Sequence, residues 1–182
     1  MVTTRRRRGL RATVLAALVG GTLALLLVLG FVAAFGERNL PPLTADALAN
    51  AEALWNEHGP ANYNLDIKIG GRQPGVVHVE VRDGEPTAMT RDGFTPKQRR
   101  TWEPWTVRGQ FDTLQRELDN AADPVKGFDA PTGAQVIERA RFDPALGYPL
   151  KYERAVLGTP LEVAWEVEKF QMLEDAGPEK AD

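Results

Sequence analysis

The sequence contains no cysteine and no serine, and it has only two histidines, His58 and His78. Without cysteine the chain forms no disulfide and offers no thiolate to a metal ion. Without serine or cysteine it also lacks the nucleophiles of the serine and cysteine hydrolases. Neither histidine lies in an HExxH frame, and no glycine-rich phosphate loop follows a predicted strand. We therefore predict that the protein is not an enzyme and that it holds no cofactor and no metal ion.

Acidic residues are absent from the first 36 positions, where five arginines are concentrated. Subtracting these five from the 22 basic residues leaves 17 against 25 acidic residues, a formal charge of about −8 for residues 37–182. A surface that binds nucleic acid needs an excess of positive charge to meet the phosphates. The charge balance therefore predicts that nucleic acid is not a partner. The five residues are Arg5, Arg6, Arg7, Arg8 and Arg11.

No charged residue interrupts residues 12–36, a run of 25 residues rich in leucine, valine and alanine. A helix of about 20 residues crosses the hydrocarbon core of a bilayer, so this run predicts a transmembrane helix. The alternative is a cleaved signal peptide with Ala34-Phe35-Gly36 as its cleavage site, but the run exceeds the apolar core of about 7 to 15 residues that is typical of such peptides. Since the arginines precede the run, the positive-inside bias predicts a cytoplasmic N-terminus.

The predicted span divides the chain into parts with different surroundings. We expect a basic cytoplasmic tail over residues 1–11, the transmembrane helix over 12–36 and a short, proline-stiffened linker over 37–43. An extracytoplasmic domain follows over 44–172, and residues 173–182 are predicted to be a disordered tail. The protein is therefore expected in the cell membrane, which it crosses once and which is its first predicted partner.

The extracytoplasmic part has the pattern of an α+β domain. Apolar residues at helical spacing, with Thr44 as the candidate cap, predict a first helix that ends at Gly59-Pro60. Alternating apolar and polar residues then predict three strands, the second and third joined at Asp83-Gly84. A second helix is expected from its cap Thr106 to about Asn120, and three more strands follow. The order helix, three strands, helix, three strands indicates an antiparallel sheet with the helices packed on one face.

The stretch FDPALGYPLKYER, residues 142–154, concentrates titratable side chains and would suit a catalytic loop. Its residues nevertheless have the chemistry of a turn, because proline restricts φ, aspartate hydrogen-bonds its own downstream backbone and glycine adopts positive φ. We predict a hairpin here, with the titratable residues that follow the turn on a solvated face of the sheet. The structural turn is predicted to be formed by Asp143, Pro144, Gly147, Tyr148 and Pro149.

Two groups of polar residues are candidates for chemistry. Either histidine would need Asp66 or Glu80 as a partner to hold a metal ion, and an ordinary surface position is the simpler interpretation. Carboxylates on predicted strands would suit glycoside hydrolysis if they were paired across a cleft. We instead expect them on the wet face of the sheet. These strand carboxylates are Glu80, Glu138, Glu166 and Glu168.

Two tryptophans, Trp102 and Trp105, flank Glu103-Pro104 at the point where a loop meets the second helix. A ring at such a position can pack the helix against the sheet, which is the structural interpretation. If either ring is exposed, it is the best candidate in the sequence for a contact with a protein or a glycan.

Five stretches of the chain, taken in order, resemble an uncharacterised family, domain of unknown function 6174. They are LWNEHGPANYNLDIKI, VHVEVRDGEP, WTVRGQFDTLQREL, FDPALGYPLKY and EVAWEVEKF. The resemblance covers about residues 54–170. It implies an extracytoplasmic domain with a lipid or helix anchor, of undescribed activity and without catalytic residues to carry over. Many members have a cysteine pair after the first strand, where this chain has GGRQPGV, so a disulfide or thiol role is excluded here.

These observations favour a non-enzymatic interaction module that contacts another envelope or membrane protein at the membrane surface. The alternative is an extracytoplasmic domain that binds a small ligand, a peptide or a glycan in the concavity of the sheet. A hydrolase based on carboxylates is the third candidate. A deep, partly apolar cavity lined by converging polar groups would favour ligand binding, whereas a flat sheet face with an exposed aromatic patch would favour the interaction module.

Overall fold

The computed structural model describes residues 40–173, and the helices and strands formed by these residues all lie in the unit that begins at Pro41. It is an α+β domain with six strands, as predicted. Two 3-10 turns, Arg99–Thr101 and Glu103–Trp105, precede the second long helix. In chain order the other elements are α1 (Ala45–His58), β1 (Tyr63–Gly71), β2 (Gly75–Arg82), β3 (Glu85–Arg91), α2 (Val107–Ala122), α3 (Pro124–Phe128), β4 (Val136–Phe142), β5 (Pro149–Val156) and β6 (Glu162–Met172).

Both long helices begin where the sequence predicts, because each has a threonine that satisfies a free backbone N–H at its first turn. The Thr44 hydroxyl accepts from Ala47 N at 3.2 Å, and the Thr106 hydroxyl accepts from Gly109 N at 3.0 Å. The short helix α3 was not predicted from the sequence. It begins at Pro124, and proline is favoured in the first turn of a helix because no partner for its missing N–H is needed there.

The sheet has the strand order β3-β2-β1-β6-β5-β4, and every pair of neighbours is antiparallel. The sheet thus consists of two three-stranded meanders, β1 to β3 and β4 to β6, which join where β1 pairs with β6 along its whole length. The β2–β3 connection is the predicted tight turn, with Asp83 and Gly84 at φ +52° and +79°. Positive φ at both positions matches the twist of the flanking strands.

One face of the sheet carries the core. Side chains that alternate along the strands, such as Leu65, Val79 and Tyr152, are fully buried there. They pack with residues of the two long helices, including Leu48 from α1 and Leu114 from α2. We call this the inner face. The intervening residues point to the opposite, outer face, where the paired charged side chains are in contact with solvent.

The core also fixes where α2 begins. The backbone N–H of Val107, at the first residue of the helix, donates to the phenolic oxygen of Tyr63 on β1 at 3.1 Å. Burial raises the pKa of Tyr63 to about 12, so its hydroxyl stays neutral at physiological pH. A neutral hydroxyl can accept this hydrogen bond without placing a charge in the core.

Residues 41–43, at the end of the predicted linker, lie along the free edge of β4. Leu43 N donates to Glu138 O at 3.0 Å, and Ala140 N donates to Pro41 O at 3.1 Å. Packing of the domain therefore starts before the first helix. Within residues 40–173 no helix combines the length and the apolar character that a membrane crossing requires. The predicted tail 1–11 and span 12–36 lie outside the described residues, as do residues 174–182.

Candidate functional site

The stretch of residues 142–154, which was predicted to be a hairpin, contains the turn between β4 and β5. The Asp143 carboxylate accepts from Ala145 N at 2.9 Å and from Leu146 N at 2.8 Å, and Gly147 N donates to the backbone oxygen of Asp143 at 2.9 Å. Gly147 has φ +83°, and a β-carbon there would collide with the backbone oxygen of Ala51 in α1. The turn between β4 and β5 therefore packs directly against α1.

The remaining turn residues also have structural surroundings. Tyr148 is buried and stacks on Phe170 with ring centroids 4.4 Å apart. Burial raises the pKa of Tyr148. Pro149 is the first residue of β5 and is fully buried, and Pro144 stands inside the turn that Asp143 organises. The carboxylate oxygen of Asp143 that faces the turn is occupied by two backbone N–H groups, which leaves this stretch with the geometry of a connection between strands.

The two tryptophans before α2 have different surroundings. Trp102 is only 8% exposed, and its ring N–H donates to Pro96 O at 3.1 Å. Trp105 is half-buried, and its ring lies at the edge of the core, where it lines two adjoining cavities. Trp102 therefore holds the loop in place, whereas Trp105 presents part of its ring to the cavities.

The larger of these cavities, the outer cleft, has a volume of about 530 Å³. It lies on the inner face between the ends of the strands and the start of α2. Pockets for small molecules commonly measure about 300 to 1,000 Å³. Three arginines line the cleft beside Trp105, and one carboxylate, Glu162, lines it with them. The arginines are Arg72, Arg91 and Arg154.

The smaller cavity, the inner pocket, has a volume of about 150 Å³ and shares Trp105 and Val163 with the outer cleft. Its walls are mainly apolar, with Trp165 and the ring of Tyr152 on the sheet side. Gln110 of α2 also lines it and is only 2% exposed. The amide nitrogen of Gln110 donates to Trp105 O at 3.2 Å, but its oxygen Oε1 has no hydrogen-bond partner.

A cluster of four polar residues, the inner-face cluster, joins α2 to β4 and β5 beside these cavities. The Tyr152 hydroxyl lies 2.9 Å from a carboxylate oxygen of Glu117 and 3.0 Å from one of Glu138. Arg154 donates to the same oxygen of Glu117 at 2.8 Å and lies over the ring of Phe128, 4.2 Å from its centroid. The cluster thus holds two carboxylates around one phenol.

Burial raises the pKa of two groups in this cluster, Glu138 and Tyr152. It raises the pKa of Glu138, and the nearby negative charge of Glu117 adds to the rise. Burial also raises the pKa of Tyr152, again reinforced by Glu117 and then Glu138. A phenol has one hydrogen and can donate to only one carboxylate at a time. Tyr152 therefore donates to either Glu117 or Glu138, and Arg154 gives Glu117 a second donor.

The inner-face cluster corrects two predictions. Glu138 was expected on the wet face with the other strand carboxylates, and the residues after the turn were expected to face solvent. Lys151 and Glu153 do lie on the outer face and form an ion pair of 3.3 Å. Glu138, Tyr152 and Arg154 face inward, because β4 and β5 pair with Glu138 opposite Arg154 and each strand points alternate residues to the helices.

Two residues of α2 that belong to the site were not predicted, although their spacing in the sequence indicates that they face the core. Gln110 and Glu117 are seven positions apart, and both fall on the stripe that includes Leu114. Residues three, four and seven apart share one face of a helix. Two polar residues on the core-facing stripe therefore indicate buried hydrogen bonds or a pocket, although the sequence does not show which strands supply the partners.

On the outer face, His78 lies between two carboxylates. Its Nδ1 is 2.6 Å from an oxygen of Asp66, and its Nε2 is 3.6 Å from an oxygen of Glu80. These residues pair because Asp66 and His78 are opposite each other in the β1–β2 register. The other predicted outer carboxylates, Glu166 and Glu168, pair with lysines. In residues 40–173 no group of three or more histidines and carboxylates is arranged to hold a metal ion.

Comparison with known proteins identifies one family. The protein-family model described as "Family of unknown function (DUF6174)" matches residues 47–153 of the chain. The matched part begins in α1 and ends in β5, and it includes the turn before β5 and the whole of α2. No curated protein and no solved structure matches the chain.

Proposed function

The chain belongs to a family of unknown function, DUF6174, and we propose that its domain binds a small ligand in the outer cleft and the inner pocket. The observation that carries this proposal is a cavity of about 530 Å³ that adjoins a smaller apolar pocket in which a buried amide oxygen, that of Gln110, lacks a partner. Buried polar atoms are almost always paired in folded proteins. An unpaired acceptor in a pocket is therefore a place where a ligand gains a hydrogen bond.

The chemistry of the lining supports binding over catalysis. Trp105 and Val163 supply apolar contact area, and arginines at the cleft supply fixed positive charge. The carboxylate of Glu117 is paired with Arg154 at 2.8 Å and is also hydrogen-bonded to Tyr152, so it is already occupied. A converging set of apolar walls and a few polar groups is typical of binding sites.

We further propose that residues 12–36 anchor the domain in the cell membrane and that the domain lies outside the cytoplasm. The charge-free run of 25 residues and the arginines before it support this placement. Tethering would keep the ligand site within reach of the membrane surface. Protease added to intact spheroplasts is expected to digest the domain, and a mature protein that begins at Glu37 would contradict the anchor.

Ligand binding can be tested with a fragment library and one pair of matched variants. Val163 lines the outer cleft and the inner pocket, so Val163→Trp should fill the space and abolish binding. The control is Val76→Trp, because Val76 lies on the same sheet but its side chain is 45% exposed, away from the cavities. Fragments are screened against the full-length chain in lipid nanodiscs by saturation-transfer NMR.

We expect fragment binding that Val163→Trp removes and Val76→Trp retains. Fragments that bind both variants equally well would show that the cavities are not the site. A folded Val163→Trp protein, checked by circular dichroism, is required for the comparison.

A second candidate function, contact with another envelope or membrane protein, is favoured by one observation. Phe94 is 78% exposed beside the end of the edge strand β3, and Val76, at the same end of the sheet, is 45% exposed. Exposed apolar groups near a free strand edge are common in interaction surfaces. A photo-cross-linker at position 94 should capture a discrete partner in cells, whereas one at Val125, which is 46% exposed, should not.

A further inference from the structure

Two buried side-chain atoms in the described part of the chain lack a hydrogen-bond partner, and both belong to residues that line the adjoining cavities. They are the amide oxygen of Gln110, an acceptor, and Nε of Arg154, a donor. Gln110 lines the inner pocket, and Arg154 lines the outer cleft. Each cavity is thus lined by a residue with one unpaired buried atom, an acceptor for the inner pocket and a donor for the outer cleft.

The orientation of Gln110 is set by its own hydrogen bond. Its amide nitrogen donates to Trp105 O at 3.2 Å, so the oxygen is the atom left for the pocket. The side chain is only 2% exposed and has little freedom to turn toward bulk water. A group that occupies the inner pocket therefore gains a hydrogen bond if it carries an N–H or an O–H.

The size and lining of the inner pocket favour an aromatic ring. Its volume of about 150 Å³ matches that of an apolar cavity known to hold one benzene molecule. Trp105 and Trp165 line it, and aromatic rings stack on or pack edge-on against one another. A ring with a hydroxyl or a ring N–H fills the pocket and also meets the Gln110 oxygen.

The outer cleft favours an anion. Three arginines and one carboxylate line it, an excess of positively charged side chains, although Glu117 pairs with Arg154 at 2.8 Å and Asp92 pairs with Arg91 at 3.9 Å. This excess stands out because residues 37–182 are otherwise acidic, with 25 acidic against 17 basic residues once the N-terminal arginines are set aside. Arginine binds carboxylates and phosphates through paired N–H donors.

We propose that the ligand is an aromatic acid whose ring carries an O–H or N–H donor. The ring occupies the inner pocket, its donor meets the amide oxygen of Gln110, and its acid group lies among Arg72, Arg91 and Arg154 in the outer cleft. This inference rests on the proposed function, since it assigns a chemical class to the ligand of the same cavities.

Three probes separate the features of this class. They are para-hydroxyphenylpropionate, phenylpropionate, which lacks the donor, and para-hydroxyphenylpropionamide, which lacks the charge. Binding to the full-length chain in nanodiscs of neutral lipid is measured by tryptophan fluorescence and by calorimetry. We expect the Kd to rise about tenfold on loss of the hydroxyl and about tenfold on loss of the charge, since a buried acceptor is left unpaired in one case and a cation in the other.

Variants assign each preference to its residue. Gln110→Met should remove the preference for the hydroxyl, so that the first two probes bind equally well. Arg72→Gln and Arg91→Gln should each weaken the preference for the acid over the amide and leave the preference for the hydroxyl intact. Arg116→Gln is the control, because Arg116 is an exposed arginine of α2 that does not line either cavity.

Other outcomes separate this inference from the proposed function. Equal affinity of the native chain for all three probes would overturn the inference even if Gln110→Met failed to fold. If neutral fragments still bound in a manner that Val163→Trp abolishes, the proposed function would stand without the ligand class. If no compound showed binding sensitive to Val163→Trp, both would be wrong.

Discussion

The two faces of the sheet carry the same kinds of charged residue in opposite surroundings. On the outer face, Lys68 and Glu168 lie 3.5 Å apart with 64% and 48% of their side chains exposed. On the inner face, Arg154 and Glu117 lie 2.8 Å apart with only 11% and 17% exposed. The outer pair is surrounded by water, whereas the inner pair is enclosed by β5, α2 and the ring of Phe128.

This difference shows that the contribution of an ion pair to stability depends more on its exposure to water than on which two residues form it. An exposed pair contributes about 0 to 1 kcal/mol, because water already solvates both ions. A buried pair contributes little net stability when intact, yet loss of one partner leaves an unpaired charge without water and costs about 3 to 5 kcal/mol. Substitutions that break an ion pair should therefore lower the stability of the domain more on the inner face than on the outer face.

The largest effect is expected from breaking the buried pair. Arg154→Met should lower the free energy of unfolding by about 3 kcal/mol, because Glu117 loses its cation inside the domain. The matched change on the outer face is Lys151→Met, which removes a cation from two exposed carboxylates and should cost less than about 1 kcal/mol. Urea denaturation of the full-length chain, followed by tryptophan fluorescence, measures both. Equal losses would show that the two faces do not differ as described.

The second prediction compares a turn whose glycine lies against the backbone of α1 with a turn whose glycine has no backbone nearby. Gly147 and Gly158 have φ +83° and +78°, but only Gly147 faces nearby backbone, that of Ala51 and Trp55 in α1. Gly158→Ala should cost about 1 kcal/mol from backbone strain alone. Gly147→Ala adds a collision with the helix and should cost about 3 kcal/mol. The difference between their melting temperatures checks this, and similar temperatures would mean that α1 can move away.

The third prediction concerns the hydrogen bonds that the Asp143 carboxylate accepts within the turn, which lies on neither face of the sheet. Asp143→Ala should cost about 1 kcal/mol, because the N–H groups of Ala145 and Leu146 lose their acceptor. Asp143→Asn keeps an acceptor oxygen and should cost only a few tenths of that. If the asparagine variant folded normally but lost ligand binding or a cellular phenotype, the stretch would be a functional loop after all.

The smallest effect is a change in the pH dependence of stability, since Glu138 is only half-buried. Its pKa is raised in the folded state, so its contribution to stability is complete below the ordinary glutamate value and is lost as the pH rises through the raised value. Glu138→Gln removes this titration. We therefore expect the stability of the native chain relative to Glu138→Gln to fall with rising pH. A constant difference between the two chains across that range would contradict the raised pKa.

In β1 and β2 the alternation of apolar residues was sufficient to predict which residues are buried. Leu65, Ile67 and Val79 are fully buried, and Asp66 and His78 lie on the opposite face, because successive side chains of a strand point to opposite sides. The helix caps Thr44 and Thr106 were predictable for a similarly local reason, since a cap bonds its own first turn. The same local reasoning gives a wrong prediction at Glu138, because a charged strand residue can face inward when a buried group, here the Tyr152 hydroxyl, donates to it.

By itself, then, the sequence determined the two long helices, the six strands, their order, the α+β class and the turn at Gly147, but not the short helix α3. These features depend mainly on interactions between residues a few positions apart. The tertiary structure alone decided that β1 pairs with β6 and that Glu117, Glu138, Tyr152 and Arg154 meet. It also decided that Trp105 and Gln110 line the same pocket as Val163 and Trp165. Those contacts join residues that are distant along the chain, and their partners depend on strand order and packing, which no local pattern specifies.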